Sequence, residues 1–401
     1  MRFGILTQYY PPELGAPQAR LSDLAQRLAE RGHEVIVLTA MPSYPQGKIY
    51  PGYGGVTRSE TMQGVRVVRT AIYPTQKINL LPRLTNYFSF VLSSWLVGGW
   101  SLPRLDYLLT ESPPLFLGMA GYVLSRWKRA RWIFNVSDLW PESAVRLGLL
   151  KDGLSLRLSQ ALEAFCYRKA WLVTGQSRSI LDDIQGRFPG VRTYHFSNGV
   201  DTTVFQQDGK GGERLAAVSG DGEIVALYAG LHGVAQGLDQ VLLAAARLED
   251  LPRFRISFVG DGPDKKRLQN MAEELGLTNV RFLDPVPKEA MPALVSQADI
   301  CLAPLKIYIP GAVPSKLYEA MACGRPVVFV GEGEAAQIVI ASQAGLVIRP
   351  GDVSGLAASL RELAVDGELR RHLGACGRRV AETQFDREII FRKFEIQLLE
   401  E

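Results

Sequence analysis

The second half of the chain alternates short apolar runs with helix-like stretches, and few folds accept that order. The predicted strands are residues 224–229, 254–259, 280–283, 299–303, 327–330 and 346–348. A helical pattern, or a loop leading to one, follows each strand. Strands that alternate with helices pair in parallel, because each helix carries the chain back across the sheet. The pattern therefore predicts a doubly wound α/β domain.

The first half opens in the same way. Residues 3–8 and 34–39 are apolar strands on either side of a predicted helix that carries Leu21, Leu24 and Leu28 on one face. The phosphate fingerprint G-x-G-x-x-G is absent from this βαβ unit, which disfavours a dinucleotide-dependent oxidoreductase. Since 401 residues are enough for two hydrophobic cores, we expect two Rossmann-like domains. Further strands of the first domain are predicted at 65–73, 107–110, 131–136 and 171–174.

One helix-to-strand unit, residues 311–330, carries most of the candidate ligand-binding residues. Ser315 is a predicted helix N-cap, and Gly324 is the predicted end of that helix. The free N–H groups at the helix start, together with the charge of Lys316, suit a diphosphate, and Glu319 one turn later could bind a ribose diol. Alternatively, Lys316 and Glu319 form an ordinary surface pair worth about 0.2–0.5 kcal/mol.

The run P-S-K-L-Y-E-A-M-A-C-G-R-P-V-V at 314–328 resembles the nucleotide-sugar signature of retaining GT-B glycosyltransferases of family 4. Similar runs occur across the chain, among them P-P-E-x-G-A, V-G-D-G-P and A-D-I-C-L-A-P-L. The resemblance implies two Rossmann-like doubly wound domains facing across a cleft. The sequence departs from the family pattern at Gly311, where a glutamate is usual, and at Leu231 and Gln236, which replace an arginine and a lysine. These departures shift the expected positive charge to Lys316 and His232.

The resemblance implies a set of site residues. Those expected to bind the donor are Gly15, Gly230, His232, Gly233, Gly260, Pro314, Ser315, Lys316, Leu317 and Glu319. Those expected to bind the acceptor are Glu13, Arg20, Ser137 and Asp138. Catalytic roles are expected for Asp138, Glu13 and Lys316. No metal ligand and no cofactor are expected, because no Asp-x-Asp motif is present.

Asp138 follows the predicted strand 131–136, so it should lie at the ligand-binding edge of a parallel sheet. The run D-L-W-P-E-S that it opens resembles a subset of family 4 enzymes from O-antigen and capsule clusters, including N-acetylfucosamine transferases. Asp138 could accept the proton of the acceptor hydroxyl, and Glu13 could approach the same space from an adjacent sheet position. The alternative is that Asp138 caps the following helix.

The predicted domains are residues 1–201 for the acceptor and 223–385 for the nucleotide sugar, joined by a linker at 202–222. A helix at the end of the chain, 386–401, is expected to cross back to the first domain, as in GT-B enzymes. Four separated cysteines without C-x-x-C spacing indicate buried reduced thiols, and with no secretory signal in the sequence they indicate the cytoplasm.

Charge divides unevenly between the halves. Residues 1–200 hold 23 Lys and Arg against 13 Asp and Glu, whereas residues 201–401 hold 22 against 28. Residues 77–131 are basic and rich in aromatic residues, including Trp95 and Trp100, which fits docking on an anionic membrane. Ordinary core helices are an alternative. Binding of nucleic acid is a third reading, although no known nucleic-acid-binding module is present.

The resemblance, together with these features, implies a retaining, metal-independent glycosyltransferase. Its donor would be a UDP-sugar, with an N-acetylated hexosamine or deoxyhexosamine, and its acceptor an undecaprenyl-diphosphate-linked saccharide in surface-polysaccharide assembly. Its location would be the inner face of the plasma membrane. A nucleotide-sugar epimerase of the same fold and a catalytically silent membrane-bound binding subunit are the alternatives.

Overall fold

A computed structural model of the chain describes residues 1–13, 15–76, 80–146, 152–207 and 222–400. These residues form two compact units, Met1–Asn198 and Gly199–Glu401, with one parallel-type sheet in each. The prediction of two Rossmann-like α/β domains is confirmed. Most of the predicted linker, residues 208–221, lies outside the described part of the chain.

The first unit contains eight described strands and six described helices. The strands are β1 (Arg2–Leu6), β2 (Glu34–Ala40), β3 (Thr57–Met62), β4 (Val65–Thr70), β5 (Tyr107–Ser112), β6 (Arg131–Val136), β7 (Leu172–Gly175) and β8 (Thr193–His195). The helices are α1 (Ala16–Glu30), α2 (Leu80–Ser101), α3 (Leu117–Lys128), α4 (Glu142–Arg146), α5 (Leu154–Lys169) and α6 (Arg178–Arg187). The strand order is β3-β4-β2-β1-β5-β6-β7-β8.

The second unit contains six described strands and eight described α-helices. The strands are β9 (Ile224–Ala229), β10 (Phe254–Val259), β11 (Val280–Leu283), β12 (Ile300–Pro304), β13 (Val327–Val330) and β14 (Gly345–Ile348). The helices are α7 (Leu238–Ala245), α8 (Lys265–Glu274), α9 (Met291–Gln297), α10 (Ser315–Ala322), α11 (Glu334–Ser342), α12 (Val353–Val365), α13 (Gly367–Val380) and α14 (Arg387–Leu399). The strand order is β11-β10-β9-β12-β13-β14.

The central strands are buried because helices cover both faces of each sheet, which explains their nearly continuous apolar sequences. Every residue of β5 and β13 is buried. The four cysteines are free and buried, as predicted. The expected C-terminal helix is α14, and its return to the first domain stays a prediction.

Two strands of the first unit, β3 and β8, were not predicted from the sequence. β3 is largely exposed and pairs antiparallel with β4 at the edge of the first sheet. Gln63 and Gly64 both have positive φ, 50° and 79°, which gives the tight two-residue turn that joins twisted antiparallel strands. The dipeptide Gln63-Gly64 could have predicted the hairpin turn, but β3 lacks the apolar residues by which strands were recognised in the sequence.

The aromatic region 77–131 divides between core and surface; its residues 77–79 lie outside the described part. Phe90 is fully buried, whereas Trp100 is 93% exposed and Trp127 is 55% exposed. Lys128, expected on the basic surface, is instead buried and donates a hydrogen bond to the Gly99 carbonyl at 2.7 Å. Burial lowers the pKa of Lys128. No helix among the described residues is long and apolar enough to cross a bilayer.

Candidate functional site

The second sheet has a topological switch point between β9 and β12. β10 and β11 extend the sheet from β9 in one direction, while β12, β13 and β14 extend it in the other. The loops leaving β9 and β12 therefore diverge and open a crevice at the carboxyl ends of the strands, where sheets of this kind bind ligands. Gly230 lies in the first of these loops, and Lys316 is the second residue of α10, the helix after the second loop.

Lys316 reaches from α10 to the strand β9. Its Nζ atom lies 4.0 Å from the centroid of the Tyr228 ring, a cation–π contact. A Cβ atom on Gly230 would lie 3.0 Å from the same Nζ, so the glycine leaves space for the ammonium group. Burial lowers the pKa of Lys316 to about 8, against the opposing effect of Glu319. The side chain is therefore still mostly charged at neutral pH and is poised beside the crevice.

The beginning of α10 differs by one residue from the prediction. Pro314 is the N-cap and Ser315 is already helical, so Ser315 does not cap the helix. Its side chain instead hydrogen-bonds Glu319 one turn later. Burial raises the pKa of Glu319, while Lys316 and this hydrogen bond oppose the rise. Leu317 is fully buried in the core, so it can offer a ligand its backbone only.

The predicted glycine loops meet through their backbones. Gly260, after β10, has φ +144°, and a Cβ atom there would lie 2.0 Å from the carbonyl oxygen of Gly230. No side chain fits between the two loops, so the sequence requires glycine at this position. The Gly230 N–H donates to the Val259 carbonyl at 2.9 Å, which fixes the loop beside Lys316.

His232 is fully buried in an aromatic cluster with Tyr228, Phe258 and Phe282. Burial, assisted by Lys265, lowers its pKa to about 4, so the imidazole is neutral at physiological pH. It cannot supply the positive charge expected of it. Both ring nitrogens lack a partner among the described residues. Gly233 is the N-cap of the short 3-10 helix Val234–Gln236.

A buried polar network lies at the carboxyl ends of the strands of the first sheet. Arg20 is 0% exposed and places Nη2 at 3.0 Å from both carboxylate oxygens of Glu111. It also donates to the Ser137 hydroxyl at 2.9 Å and to the Asn198 side chain at 2.7 Å. Asn135 donates to the same carboxylate at 2.6 Å. Arg20, predicted to bind the acceptor, therefore orients Ser137 from inside the protein.

Glu13 is also buried, and its partners are backbone groups. Its carboxylate accepts from the N–H groups of Ser43 at 2.9 Å, Tyr44 at 2.8 Å and Tyr10 at 3.3 Å. Burial raises its pKa, and these three hydrogen bonds oppose the rise. Glu13 thus joins the loop after β1 to the loop after β2. Gly15 is exposed and is the N-cap of α1.

Asp138 is half-buried after β6. Burial raises its pKa, whereas hydrogen bonds from the Ser143 side chain and the Leu139 N–H oppose the rise. Both donors belong to the following segment, as the capping interpretation requires, but a raised pKa also makes the carboxylate a better proton acceptor. Glu13 and Asp138 were expected to be adjacent in the sheet. That expectation is wrong, because β5 lies between β1 and β6.

Sequence reasoning missed Tyr228, which supports Lys316, and Glu111, which holds Arg20. The run T-E-S-P-P at the end of β5 was a signal for Glu111, because a carboxylate at the carboxyl end of a buried parallel strand lies at the ligand-binding edge. Gly311 has φ +76°, a backbone conformation that disfavours the glutamate usual in family 4. In the described part of the chain, no three His, Cys, Asp or Glu side chains are grouped as metal ligands.

Comparison with known proteins assigns a family to this architecture. Residues 15–199 match the glycosyl transferase 4-like domain, and residues 214–380 match the family of glycosyl transferases group 1. A GDP-mannose-dependent alpha-(1-6)-phosphatidylinositol monomannoside mannosyltransferase of Mycolicibacterium smegmatis is 30% identical over 304 residues, covering 69% of this chain and 79% of that protein. The chain belongs to the group 1 glycosyltransferases.

Two further matches extend over almost the whole chain. The colanic acid biosynthesis glycosyl transferase WcaI of Escherichia coli strain K12 is 29% identical over 397 residues, which are 96% of each protein. The crystal structure of Anabaena HepE in complex with UDP-glucose superimposes with a TM-score of 0.74 and 19% identity, covering 100% of both chains. The latter likeness concerns the fold, and it agrees with the predicted GT-B class.

Proposed function

We propose that this group 1 glycosyltransferase is a retaining, metal-independent enzyme of surface-polysaccharide assembly. It transfers an N-acetylated hexosamine or deoxyhexosamine from a UDP-sugar to a saccharide linked to a lipid diphosphate. The observation that carries the proposal is the pairing of Lys316 with Tyr228 beside Gly230 at the switch point of the second sheet. This arrangement holds a cation at the crevice, beside the first turn of α10.

In the proposed reaction, the diphosphate of the donor binds at the first turn of α10 and Glu319 binds the ribose. The N–H groups of that turn and the charge of Lys316 stabilise the leaving UDP. The bond from the sugar C1 to the phosphate oxygen breaks, and the acceptor oxygen forms a bond to C1 on the same face. The acceptor proton passes to Asp138 or to the departing phosphate.

The similar proteins support a role in polysaccharide synthesis, but they differ in the nucleotide of the sugar donor. The name of WcaI refers to biosynthesis of colanic acid, a polysaccharide, and the HepE structure contains UDP-glucose. The mycobacterial relative is GDP-mannose-dependent. We favour UDP, and a panel of UDP- and GDP-sugars tests the choice. Nothing in the relatives favours the epimerase or the silent subunit.

The lipid-linked acceptor motivates a proposed membrane-docking face on the first unit. The face comprises the exposed apolar side chains of α2 and α3, which are Leu81, Phe88, Leu92, Trp95, Leu96, Trp100, Val123 and Trp127. Exposed Arg104, Arg126 and Arg129 accompany it. Apolar side chains with flanking cations favour an anionic bilayer surface, so we place the enzyme at the inner face of the plasma membrane.

A transfer assay with purified full-length protein tests the proposal. Each nucleotide sugar is incubated with a lipid-diphosphate-linked N-acetylhexosamine, with and without EDTA. We expect transfer from a UDP-sugar, insensitivity to EDTA and the same anomeric configuration in product and donor. A new epimer formed without acceptor would favour the isomerase, and donor binding without any product would favour the silent subunit.

A further inference from the structure

The first unit contains a pocket that none of the assigned roles uses. It has a volume of about 540 Å³ and is lined by Tyr9, Tyr44, Pro45, Thr75, Gln76, Arg83, Asn86 and Tyr87. The lining follows β1, β2 and β4, which are parallel neighbours, and continues onto the first turns of α2. Because the carboxyl ends of parallel strands share one edge, the pocket opens at the ligand-binding edge of the first sheet.

Arg83 gives the pocket an uncompensated positive charge. Its side chain is half-buried, and within the described residues it makes no hydrogen bond or ion pair. The other inward-facing arginines of this unit are paired, Arg20 with Glu111 and Arg69 with Glu60. None of the described residues that line the pocket carries a carboxylate. A partly desolvated guanidinium without a counter-ion favours an anionic ligand, and its planar fork matches the oxygens of a phosphate.

The remaining lining suits a sugar ring. The rings of Tyr9 and Tyr44 lie 5.5 Å apart between centroids and are tilted by 57°, so they form an aromatic corner. Tyr87, Gln76 and Thr75 add hydroxyl and amide groups able to hydrogen-bond sugar hydroxyls. Aromatic faces with a few polar groups around them are typical of small-molecule sites.

The pocket is held in shape by hydrogen bonds behind its surface. Asn86 donates to the Tyr73 carbonyl at 2.7 Å and accepts from Gln8 at 2.9 Å, which fixes α2 against the strand loops. The Tyr44 N–H donates a hydrogen bond to the buried Glu13 carboxylate at 2.8 Å, which fixes the backbone of Tyr44. Arg83 and Tyr87 lie on α2, within one helical turn on either side of Asn86. The site is thus built on a rigid support, as precise binding requires.

We propose that this pocket binds the head of the acceptor, with Arg83 on its diphosphate and Tyr44 and Tyr9 against its sugar. The proposal rests on the proposed function and deepens it. The exposed apolar side chains of α2, starting with Leu81 and Phe88, lie on the same helix as Arg83. A molecule with an anionic head and an alkyl chain could therefore contact both. Glu13 becomes a positioning residue of this pocket.

Calorimetry on the full-length chain tests the proposal, with saturating UDP present so that diphosphates do not compete for the donor site. The probes are geranyl diphosphate, geranyl-diphosphate-linked N-acetylglucosamine and inorganic diphosphate. Arg83→Gln should weaken both geranyl probes about ten- to a hundredfold, because a charge-assisted contact is lost. Arg157→Gln removes the same charge from an exposed site on α5 and should bind both probes like wild type.

Tyr44→Ala separates the two parts of the ligand. It should weaken the sugar-bearing probe several-fold and leave geranyl diphosphate unchanged. Equal affinities of wild type and Arg83→Gln, in proteins of equal melting temperature, would overturn the proposal. Inorganic diphosphate that binds as tightly as the sugar-bearing probe would also overturn it, since the pocket would then be a general anion site. Absence of sugar transfer despite binding that depends on Arg83 would instead count against the proposed function.

Discussion

The ammonium nitrogen of Lys316 lies 4.0 Å from the centroid of the Tyr228 ring. This cation–π contact joins helix α10 to strand β9 in the second unit. The ring shields the cation from water without neutralising it. Burial accordingly lowers the pKa of Lys316 to about 8, which places its titration close to physiological pH. A bound diphosphate would stabilise the protonated form, and this coupling makes the donor site testable by pH.

Lys316→Met should weaken UDP about ten- to a hundredfold, because a charge-assisted contact contributes about 1.5–3 kcal/mol. In wild type, UDP affinity should fall as pH rises past about 8, where the unliganded lysine loses its proton. The fall can approach about tenfold per pH unit until the pKa of the UDP-bound state is passed. Calorimetry with UDP between pH 7 and pH 10 measures both effects.

Uridine is the matched ligand, since it lacks the phosphates. Lys316→Met should leave uridine affinity unchanged, and its UDP affinity should lose the dependence on lysine titration. An equal loss for UDP and uridine would show that the substitution disturbs the pocket and would remove the phosphate role from Lys316.

Glu319→Gln should weaken UDP while leaving the melting temperature nearly unchanged, since glutamine can still hydrogen-bond Ser315. The carboxylate also raises the pKa of Lys316, so its loss should move the fall in UDP affinity to lower pH. Comparing UDP with dUDP identifies the contact: wild type should discriminate between them, and Glu319→Gln should not. Retained discrimination in the variant would refute the ribose assignment.

Helix α10 and strand β13, within residues 311–330, could be predicted because their information is local. Apolar runs, the glycine at 324 and the family motif all fall within twenty consecutive residues, and Gly324 ends the helix with φ +63° as expected. The contact between Lys316 and Tyr228 could not be predicted, because it depends on the order of strands in the sheet. The one-residue error at Ser315 reflects the competing hydrogen bond to Glu319, which sequence patterns do not resolve.

Gly260→Ala should destabilise the second unit by about 1–3 kcal/mol, because its Cβ atom would meet the Gly230 carbonyl at 2.0 Å. Moving Gly230 also displaces the loop beside Lys316, so UDP affinity should fall as well. Gly276→Ala is the matched control: its φ of +67° is also positive, but nothing lies within 4 Å of the added atom. If both substitutions lower the free energy of unfolding equally, backbone strain alone explains the loss, and the clash with Gly230 contributes nothing. Denaturant unfolding and calorimetry measure the two quantities.

In the first unit, the sequence identified the site segments but not the buried contacts that Arg20 and Glu13 make. Arg20, Glu13, Ser137 and Asp138 all lie at the edge where ligands bind to parallel sheets. Arg20 nevertheless faces inward and pairs with Glu111. This contact could not be predicted, because Glu111 is distant in sequence and the two charges meet only in the folded structure. The Arg83 pocket was missed for the same reason, since four separate segments contribute to its lining.

Trp100→Ser and Trp127→Ser should each weaken association with anionic liposomes, because they remove the most exposed aromatic side chains of the docking face. Binding of wild type should increase with the fraction of anionic lipid and decrease with salt, since exposed charges are screened beyond about 8 Å at physiological ionic strength. Leu154→Ser, at an exposed apolar position on α5, should bind like wild type. Cosedimentation gives the bound fraction. If wild type stays in the supernatant, the exposed side chains of α2 and α3 do not bind membranes.

Asp138→Asn distinguishes proton transfer from helix capping. Asparagine caps helices about as well as aspartate, so the variant should fold like wild type and bind UDP normally. It cannot accept a proton, so transfer should fall by about a hundredfold or more, as expected for a general base. Ser143→Ala is the complementary variant, because it removes a hydrogen bond to Asp138 and leaves the carboxylate in place. If Asp138 is the base, Ser143→Ala should retain most of the activity and shift the acidic limb of the rate profile to higher pH, since that hydrogen bond lowers the pKa of Asp138. Near-normal turnover in Asp138→Asn would leave Asp138 as a cap and favour the departing phosphate as proton acceptor, because Glu13 already holds three backbone N–H groups.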